Sequence, residues 1–253
     1  MLEVINASKT FAKGTPNEHK ALDHLNLSLK EGEFVTILGS NGAGKSTLFN
    51  AICGNFLLDE GSVILDGKNI SYLPEHQRSA SIGRLFQDPM KGTAPNLTIE
   101  ENLALAYSKN TKGLFRFAIT KKDREMFREA LKRFDMGLED RMATKIGLLS
   151  GGQRQVVTLL MSTIVTPKLL LLDEPAAGMN PQETEELTAF IGEIREKFKI
   201  TILLIEHHMN LVMGISDRIY VLDFGKLIAH GTPAEIQKNQ RVIDAYLGVA
   251  DDA

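Results

Sequence analysis

Short apolar runs without alternation recur along the chain. They occupy residues 34–38, 63–65, 169–172, 202–205 and 219–222. Runs of this kind predict strands that are covered on both faces, as in a parallel sheet flanked by helices. We therefore predict an α/β core.

Two other segments show helical spacing with capping signals. Asn180 and Pro181 suit the cap and the first position of a helix, and Thr120 with Asp123 predicts a capping box. The apolar stripes that follow are predicted to pack inward. Their members are Leu187, Phe190, Ile191, Ile194 and Phe198 after the first cap, and Met126, Phe127, Ala130, Leu131 and Phe134 after the second.

Residues 89–165 are dominated by helical patterns, whereas strand signals lie before and after them. We predict one domain over residues 1–253. Residues 1–88 and 166–253 would form its catalytic α/β core, and residues 89–165 an inserted helical subdomain. The sequence has no internal repeat and no long Pro/Gly-rich linker that would separate independent domains.

A glycine-rich segment joins the first long apolar run to a helical pattern. It consists of Gly39, Ser40, Asn41, Gly42, Ala43, Gly44, Lys45, Ser46 and Thr47. Such a turn before a helix N-terminus predicts a nucleotide-phosphate site, with Lys45 on the β- and γ-phosphates and the Ser46 hydroxyl on Mg²⁺. Thr47 is expected near the phosphates. The alternative is a glycine-rich turn that binds nothing.

The run at 169–172 ends in Asp173 and Glu174. Beside a phosphate loop, this acid pair predicts Asp173 as a Mg²⁺ ligand and Glu174 as the group that polarises the attacking water. A solvated turn is the alternative.

Residues 149–153 open another helix with Ser150, Gly151, Gly152 and Gln153. Backbone N–H groups and the Ser150 hydroxyl at a helix N-terminus favour an anion. One chain thus has two phosphate-seeking helix ends. A single nucleotide contacts both only if one belongs to a neighbouring molecule or if the lobe folds over.

With these motifs the chain resembles, over nearly all its length, the nucleotide-binding subunit of ATP-binding cassette (ABC) transporters, in particular bacterial amino-acid-type uptake systems. The resemblance implies a P-loop NTPase core. This is a mixed, mainly parallel sheet flanked by helices, with an N-terminal antiparallel β part and an inserted helical subdomain. It also implies a head-to-tail dimer with two ATP molecules at its interface. In that dimer, Ser150 and Gly152 contact the γ-phosphate bound by the partner.

The same resemblance assigns three more residues. Phe11 matches the aromatic residue that stacks on adenine, although a core phenylalanine in an N-terminal hairpin is the alternative. Gln87 matches the glutamine that touches Mg²⁺ or the attacking water. His207 matches the switch histidine at the γ-phosphate, whereas His208 is expected to be a loop residue. Asn180 stands where most of the family has aspartate, which keeps the cap but removes a charge.

Composition limits the partners and the compartment. The net charge of −3 provides no basic field for nucleic acid, and the single cysteine, Cys53, at an apolar helix position is expected to be a core residue. No apolar stretch is long enough to span a bilayer. The resemblance implies a cytoplasmic subunit held at the inner face of the membrane by an integral permease, with an extracellular substrate-binding lipoprotein as an indirect partner.

The lobe also contains an apolar stretch at 113–119 and a group of cations. The stretch is predicted to be core, with a permease groove as the alternative. The cations face anionic headgroups or the permease, or simply solvent; they are Lys109, Lys112, Arg116, Lys121, Lys122 and Arg124. The function expected is ATP hydrolysis that drives uptake. A soluble ABC-type ATPase, for example in iron–sulfur assembly, an exporter ATPase and a clamp without turnover remain alternatives.

Overall fold

The computed structural model describes residues 1–88, 90–108 and 119–246. Pro89, Lys109, Lys112, Arg116 and most of the 113–119 stretch therefore lie outside the described residues. The strands are β1 (Leu2–Phe11), β2 (His19–Leu29), β3 (Phe34–Gly39), β4 (Glu60–Leu65), β5 (Lys68–Asn69), β6 (Ile82–Leu85), β7 (Leu169–Asp173), β8 (Thr201–Ile205), β9 (Arg218–Asp223) and β10 (Lys226–Gly231). The helices are α1 (Lys45–Cys53), α2 (Glu75–Arg78), α3 (Ile99–Ser108), α4 (Lys121–Lys132), α5 (Gly151–Thr163), α6 (Pro181–Phe198), α7 (Met209–Ile215), α8 (Pro233–Gln237) and α9 (Gln240–Tyr246).

A six-stranded sheet in the order β10-β9-β3-β8-β7-β6 forms the centre of the fold. Its neighbouring strands pair in parallel except for the edge hairpin β9–β10. β3, β7 and β8 are buried at every position, which is why their sequences show no alternation. Four of the five apolar runs lie in this sheet, and the predicted α/β core is confirmed.

The remaining run, at 63–65, also forms a strand, but the prediction that it belongs with the parallel strands is wrong. It lies in β4, within a four-stranded antiparallel sheet of order β2-β1-β4-β5. In β4 only Val63 and Leu65 are buried, and Ile64 between them is partly exposed. Three apolar residues are too few to reveal the alternation typical of a strand with one covered face.

The two sheets enclose α1. Leu48, Phe49 and Ile52 of this helix are fully buried between the antiparallel sheet and one face of the parallel sheet. The opposite face of the parallel sheet packs against α6 and α7. Because α1 is fixed from both sides, the loop that precedes it is held at a defined position on the sheet edge.

The helical lobe has its own hydrophobic core, made by α3, α4 and α5. The capping box predicted at Thr120 is present, and Asn180 caps its helix as predicted, with a capping box to Glu183 that was not predicted. In the predicted stripes Ala130 and Phe134 are only partly buried. Two further members are exposed: Met126 is 37% exposed and Phe198 is 40% exposed. Each lies at the edge of its helix's inward face, where helical spacing alone does not fix burial.

Within the described ranges, no helix is both long enough and apolar enough to cross a bilayer.

Candidate active site

The phosphate loop connects β3 directly to α1. Gly42 and Gly44 have φ values of 84° and 101°, a backbone region that other residues rarely adopt. A Cβ on Gly44 would lie 2.5 Å from the backbone oxygen of Ala21, so a larger residue does not fit there. Ser40, Asn41, Gly42 and Ser46 are exposed, whereas Ala43 is buried. The loop thus offers accessible backbone and hydroxyl groups on a tightly packed base.

Lys45 is folded into this loop and is 6% exposed. Its Nζ donates to the backbone oxygens of Gly39 and Ser40, at 2.6 and 3.0 Å. Burial lowers the pKa of Lys45, and the nearby carboxylates of Glu174 and Asp173 oppose this shift. The ammonium group therefore lies in the loop, close to both acids.

The three predicted catalytic residues form one hydrogen-bonded group. Gln87 Nε2 donates to Glu174 Oε2 at 2.6 Å, and His207 Nε2 lies 2.7 Å from Glu174 Oε1. Their side chains come from the ends of β6, β7 and β8, which are neighbours in the parallel sheet. Glu174 has a φ of 47°, and its backbone N–H donates to the oxygen of Ile205. The strained turn directs the carboxylate out of the sheet edge.

Asp173 ends β7 and is 9% exposed. Burial raises its pKa, Arg84 lowers it, and Glu174 raises it further. Arg84 Nη2 lies 3.6 Å from Asp173 Oδ2, and its Nη1 donates to Asn50 Oδ1 at 2.9 Å. Arg84 thereby connects the acid at the end of β7 to the helix after the phosphate loop.

Sequence reasoning did not identify Arg84. The available signal was a lone cation inside the short strand β6, which reads Ile82-Gly83-Arg84-Leu85. A charged residue at a half-buried position normally has a partner of opposite charge. Because Arg84 lies three residues before Gln87, its acidic partner could have been expected near the candidate active site.

The second phosphate-seeking helix end is also well formed. Ser150 caps α5: its hydroxyl accepts from the backbone N–H of Gln153, and Gln153 Oε1 accepts from the backbone N–H of Ser150. Ser150 and Gly151 are exposed, and a Cβ on Gly152 would lie 3.2 Å from Glu183 Oε1. The exposed end of the helix is therefore available to a ligand from outside the chain.

One turn later, Gln155 connects α5 to the segment that follows Asp173 and Glu174. Its side chain is 4% exposed, and its Nε2 donates to the backbone oxygen of Pro175 at 3.1 Å. Pro175 immediately follows Glu174. This bond was not predicted, because neither residue has a recognisable signal in the sequence.

Phe11 lies at the end of β1 and is 39% exposed. Its ring meets Phe56 edge-on, with 5.4 Å between centroids, and Lys9 Nζ lies 5.6 Å from its centroid. The Phe11 ring thus packs against Phe56 and remains partly accessible to solvent. Cys53 is buried, as expected for a core residue.

The donors predicted for Mg²⁺ suit that ion chemically. Ser46 supplies a hydroxyl, Asp173 a carboxylate, and Gln87 retains its amide oxygen because its nitrogen is the atom bonded to Glu174. Mg²⁺ prefers such oxygen ligands and is usually bound through few protein groups plus substrate phosphates. In the described parts of the chain, no group of three or more His, Cys, Asp or Glu side chains is placed to hold a metal ion.

Two family models match parts of this chain. Residues 22–177 match the model of the ABC transporter family, and residues 226–252 match that of the branched-chain amino acid ATP-binding cassette transporter. The high-affinity branched-chain amino acid transport ATP-binding protein LivG of Salmonella typhimurium is 41% identical over 249 residues, covering 91% of this chain and 92% of LivG. A tyrosine transport ATP-binding protein of Clostridioides difficile is 35% identical over 228 residues, covering 90% of each chain.

Among solved structures, the dimeric post-hydrolysis state of the ATP-binding cassette MJ0796, bound to ADP and Pi, superposes with a TM-score of 0.80. It is 29% identical in sequence, and the match covers 92% of this chain and 99% of that one.

Proposed function

The chain belongs to the ABC transporter family of ATP-binding cassettes, and we propose that it is the ATP-hydrolysing subunit of an importer for branched-chain amino acids. The meeting of Gln87 and His207 on the Glu174 carboxylate is the observation that carries the hydrolytic role. The match of residues 226–252 and the likeness to LivG support the amino-acid class. These relatives do not favour a soluble non-transport role or an exporter.

ATP is assigned to the loop of residues 39–47, with Phe11 stacked on adenine. The exposed amides of the loop bind the phosphates, and Lys45 leaves its two carbonyl partners to reach the β- and γ-phosphates. Mg²⁺ is assigned to Ser46, Asp173 and Gln87, where it would neutralise charge developing on the transferred phosphoryl group. The boundaries of the core, 1–88 and 166–253, and of the lobe, 89–165, are part of the same proposal.

Glu174 orients and polarises the attacking water. Its two carboxylate oxygens are held by different side chains, so the group has one orientation before substrate arrives. When the water binds, one carboxylate oxygen accepts its proton, and we assign to His207 the donation of a hydrogen bond to the γ-phosphate. Oriented donors and acceptors of this kind need little rearrangement in the transition state.

The complete site requires a second copy. We assign Ser150, Gly151, Gly152 and Gln153 to the triphosphate held by the partner protomer in a head-to-tail homodimer. The dimeric state of MJ0796 and the exposed end of α5 support this arrangement. The dimer would act on an integral permease at the cytoplasmic face of the membrane, fed by an extracellular substrate-binding lipoprotein. Nucleic acid is not expected as a partner.

Reconstitution of the chain with its permease and binding protein in liposomes tests the proposal. We expect Mg²⁺-dependent ATPase activity that rises with leucine, isoleucine or valine and not with lysine. Stimulation by tyrosine alone would reassign the substrate within the amino-acid class. Absence of ATP hydrolysis in the full complex would contradict the proposed function itself.

A further inference from the structure

A second glutamate, Glu206, lies beside the catalytic group and has no role in the scheme above. It follows the last residue of β8 and is 1% exposed. A buried carboxylate is costly unless its oxygens are hydrogen-bonded or paired. In the described part of the chain, the basic side chain within ion-pair distance of Glu206 is His208 alone. Among the residues that the structure describes, the buried carboxylate thus has no lysine or arginine partner.

Both oxygens of Glu206 are used by the two residues that follow it. Oε2 accepts from the backbone N–H of His207 at 3.1 Å, and Oε1 lies 2.8 Å from His208 Nδ1. The carboxylate thus spans the turn by which the chain leaves β8. Two hydrogen bonds from one buried group fix this turn more firmly than solvent-exposed contacts would.

The turn held by Glu206 determines where His207 can point. The backbone of Ile205 is bonded to Glu174, and the ring of His207 returns to the Glu174 carboxylate at 2.7 Å. These two hydrogen bonds and the backbone of residues 205–207 therefore form a closed ring that begins and ends at Glu174. A shift of the His207 backbone would move its ring away from Glu174, because Glu174 and Ile205 are held in place by the neighbouring strands β7 and β8.

We propose that Glu206 is a positioning residue for ATP hydrolysis: it fixes the backbone of His207 so that the imidazole meets Glu174. Glu206 touches neither the phosphate loop nor the bound nucleotide in this scheme. It acts through hydrogen-bond acceptance and shape, not through its charge on the reacting atoms. The inference rests on the proposed ATPase function and assigns a further residue to it.

Glu206→Met removes both acceptors, whereas Glu206→Gln can satisfy both partners. The amide oxygen can accept from His207, and the amide N–H₂ can donate to His208 Nδ1 when that histidine carries its proton on Nε2. We expect Glu206→Met to lower kcat by about 10- to 100-fold with KM for ATP unchanged, because misplacing a reacting group has an effect of this size. Glu206→Gln should stay within about twofold of wild type. Glu196→Met, at a 75% exposed side chain, is the matched control.

A second measurement reports on His207 without turnover. In ¹⁵N-histidine-labelled protein, which has six histidines, the His207 imidazole resonances should change in Glu206→Met and stay close to wild type in Glu206→Gln. His207→Ala identifies the signal. A variant that only loosened the fold would instead lower the melting temperature and broaden several histidine signals.

Unchanged kcat in Glu206→Met would overturn the inference, as would a loss shared equally by Glu206→Gln. A rise in KM for ATP with kcat preserved would also overturn it, because it would place Glu206 in nucleotide binding. Wild-type protein serves as the reference for the proposed function. If wild-type protein does not hydrolyse ATP in the full complex, the proposed ATPase function itself is refuted. If wild type is active and Glu206→Met matches it, only the positioning role fails.

Discussion

Arg78 is expected to be one of the most important polar residues for the stability of the catalytic core. It ends α2, is 3% exposed, and donates to four backbone carbonyls. The acceptors are Leu73 at 2.8 Å, Ala51 at 2.8 Å, Ile52 at 2.9 Å and Ser71 at 2.7 Å. Two of them lie in the last turn of α1, where unpaired carbonyls carry the negative end of the helix dipole. The guanidinium therefore fixes the C-terminal end of the phosphate-loop helix.

Arg78→Met keeps most of the side-chain volume but leaves these carbonyls without their donor. At about 1 kcal/mol for each lost bond, the four bonds sum to about 4 kcal/mol. The buried cation also carries a desolvation cost, visible in its lowered pKa, and removing it returns part of that energy. We expect a net loss of about 3 kcal/mol in unfolding free energy, which lowers Tm by about 6 to 12 °C for a chain of this size.

Equilibrium urea unfolding of the nucleotide-free protein measures this loss directly. Arg128→Met is the matched control, since Arg128 is 44% exposed and makes one ion pair with Asp140 at 3.2 Å. That pair should contribute about 0.5 kcal/mol. If both variants lose the same small amount, the four carbonyl bonds do not stabilise the core as argued.

Three of the four further predictions concern the site, and the fourth concerns the buried thiol of Cys53. Glu174→Gln should retain ATP binding and form a nucleotide-trapped dimer while kcat falls by at least about 100-fold, measured by phosphate release and size-exclusion chromatography; normal turnover in a monomer would contradict the assigned role. Lys45→Ala should weaken ATP binding in calorimetry by more than about tenfold, and unchanged affinity would remove the phosphate-loop assignment. Gly44→Ala should also lose ATP binding, because its Cβ would collide with the Ala21 oxygen at 2.5 Å; wild-type affinity would show that the loop tolerates this side chain. Burial raises the pKa of Cys53 to about 11, so at pH 8 about one thiol in a thousand is ionised; we expect maleimide labelling only after unfolding, and rapid labelling of the native protein would contradict that burial.

Elements with strong local signals were predictable from the sequence. β3, β7 and β8 were found because strands buried on both faces read as continuous apolar runs. The helices after Thr120 and Asn180 were found because their caps and apolar stripes are encoded within a few residues. The glycine-rich loop was equally clear, since its positive φ angles require glycine.

Features that depend on distant partners were not predictable in the same way. β6 is only four residues long and contains Arg84, so its sequence does not read as a strand. The hydrogen bond from Gln155 to Pro175 joins residues 20 positions apart, and no periodicity links them. Glu206 reads as an ordinary polar residue after a strand, and only the fold shows that it is buried.

The order of the parallel strands explains why three of the candidate residues chosen from the sequence lie together. Carboxyl ends of parallel strands meet at one edge of a sheet, and β3, β8, β7 and β6 are successive neighbours. The residues that follow these strands must therefore converge, although up to 120 positions separate Gln87 from His207 in the chain. Ser150 is not on that edge, because it begins a helix of the inserted lobe. The same geometry assembles Gln87, Glu174 and His207 in one chain, and it leaves the exposed end of α5 for the second copy that we propose.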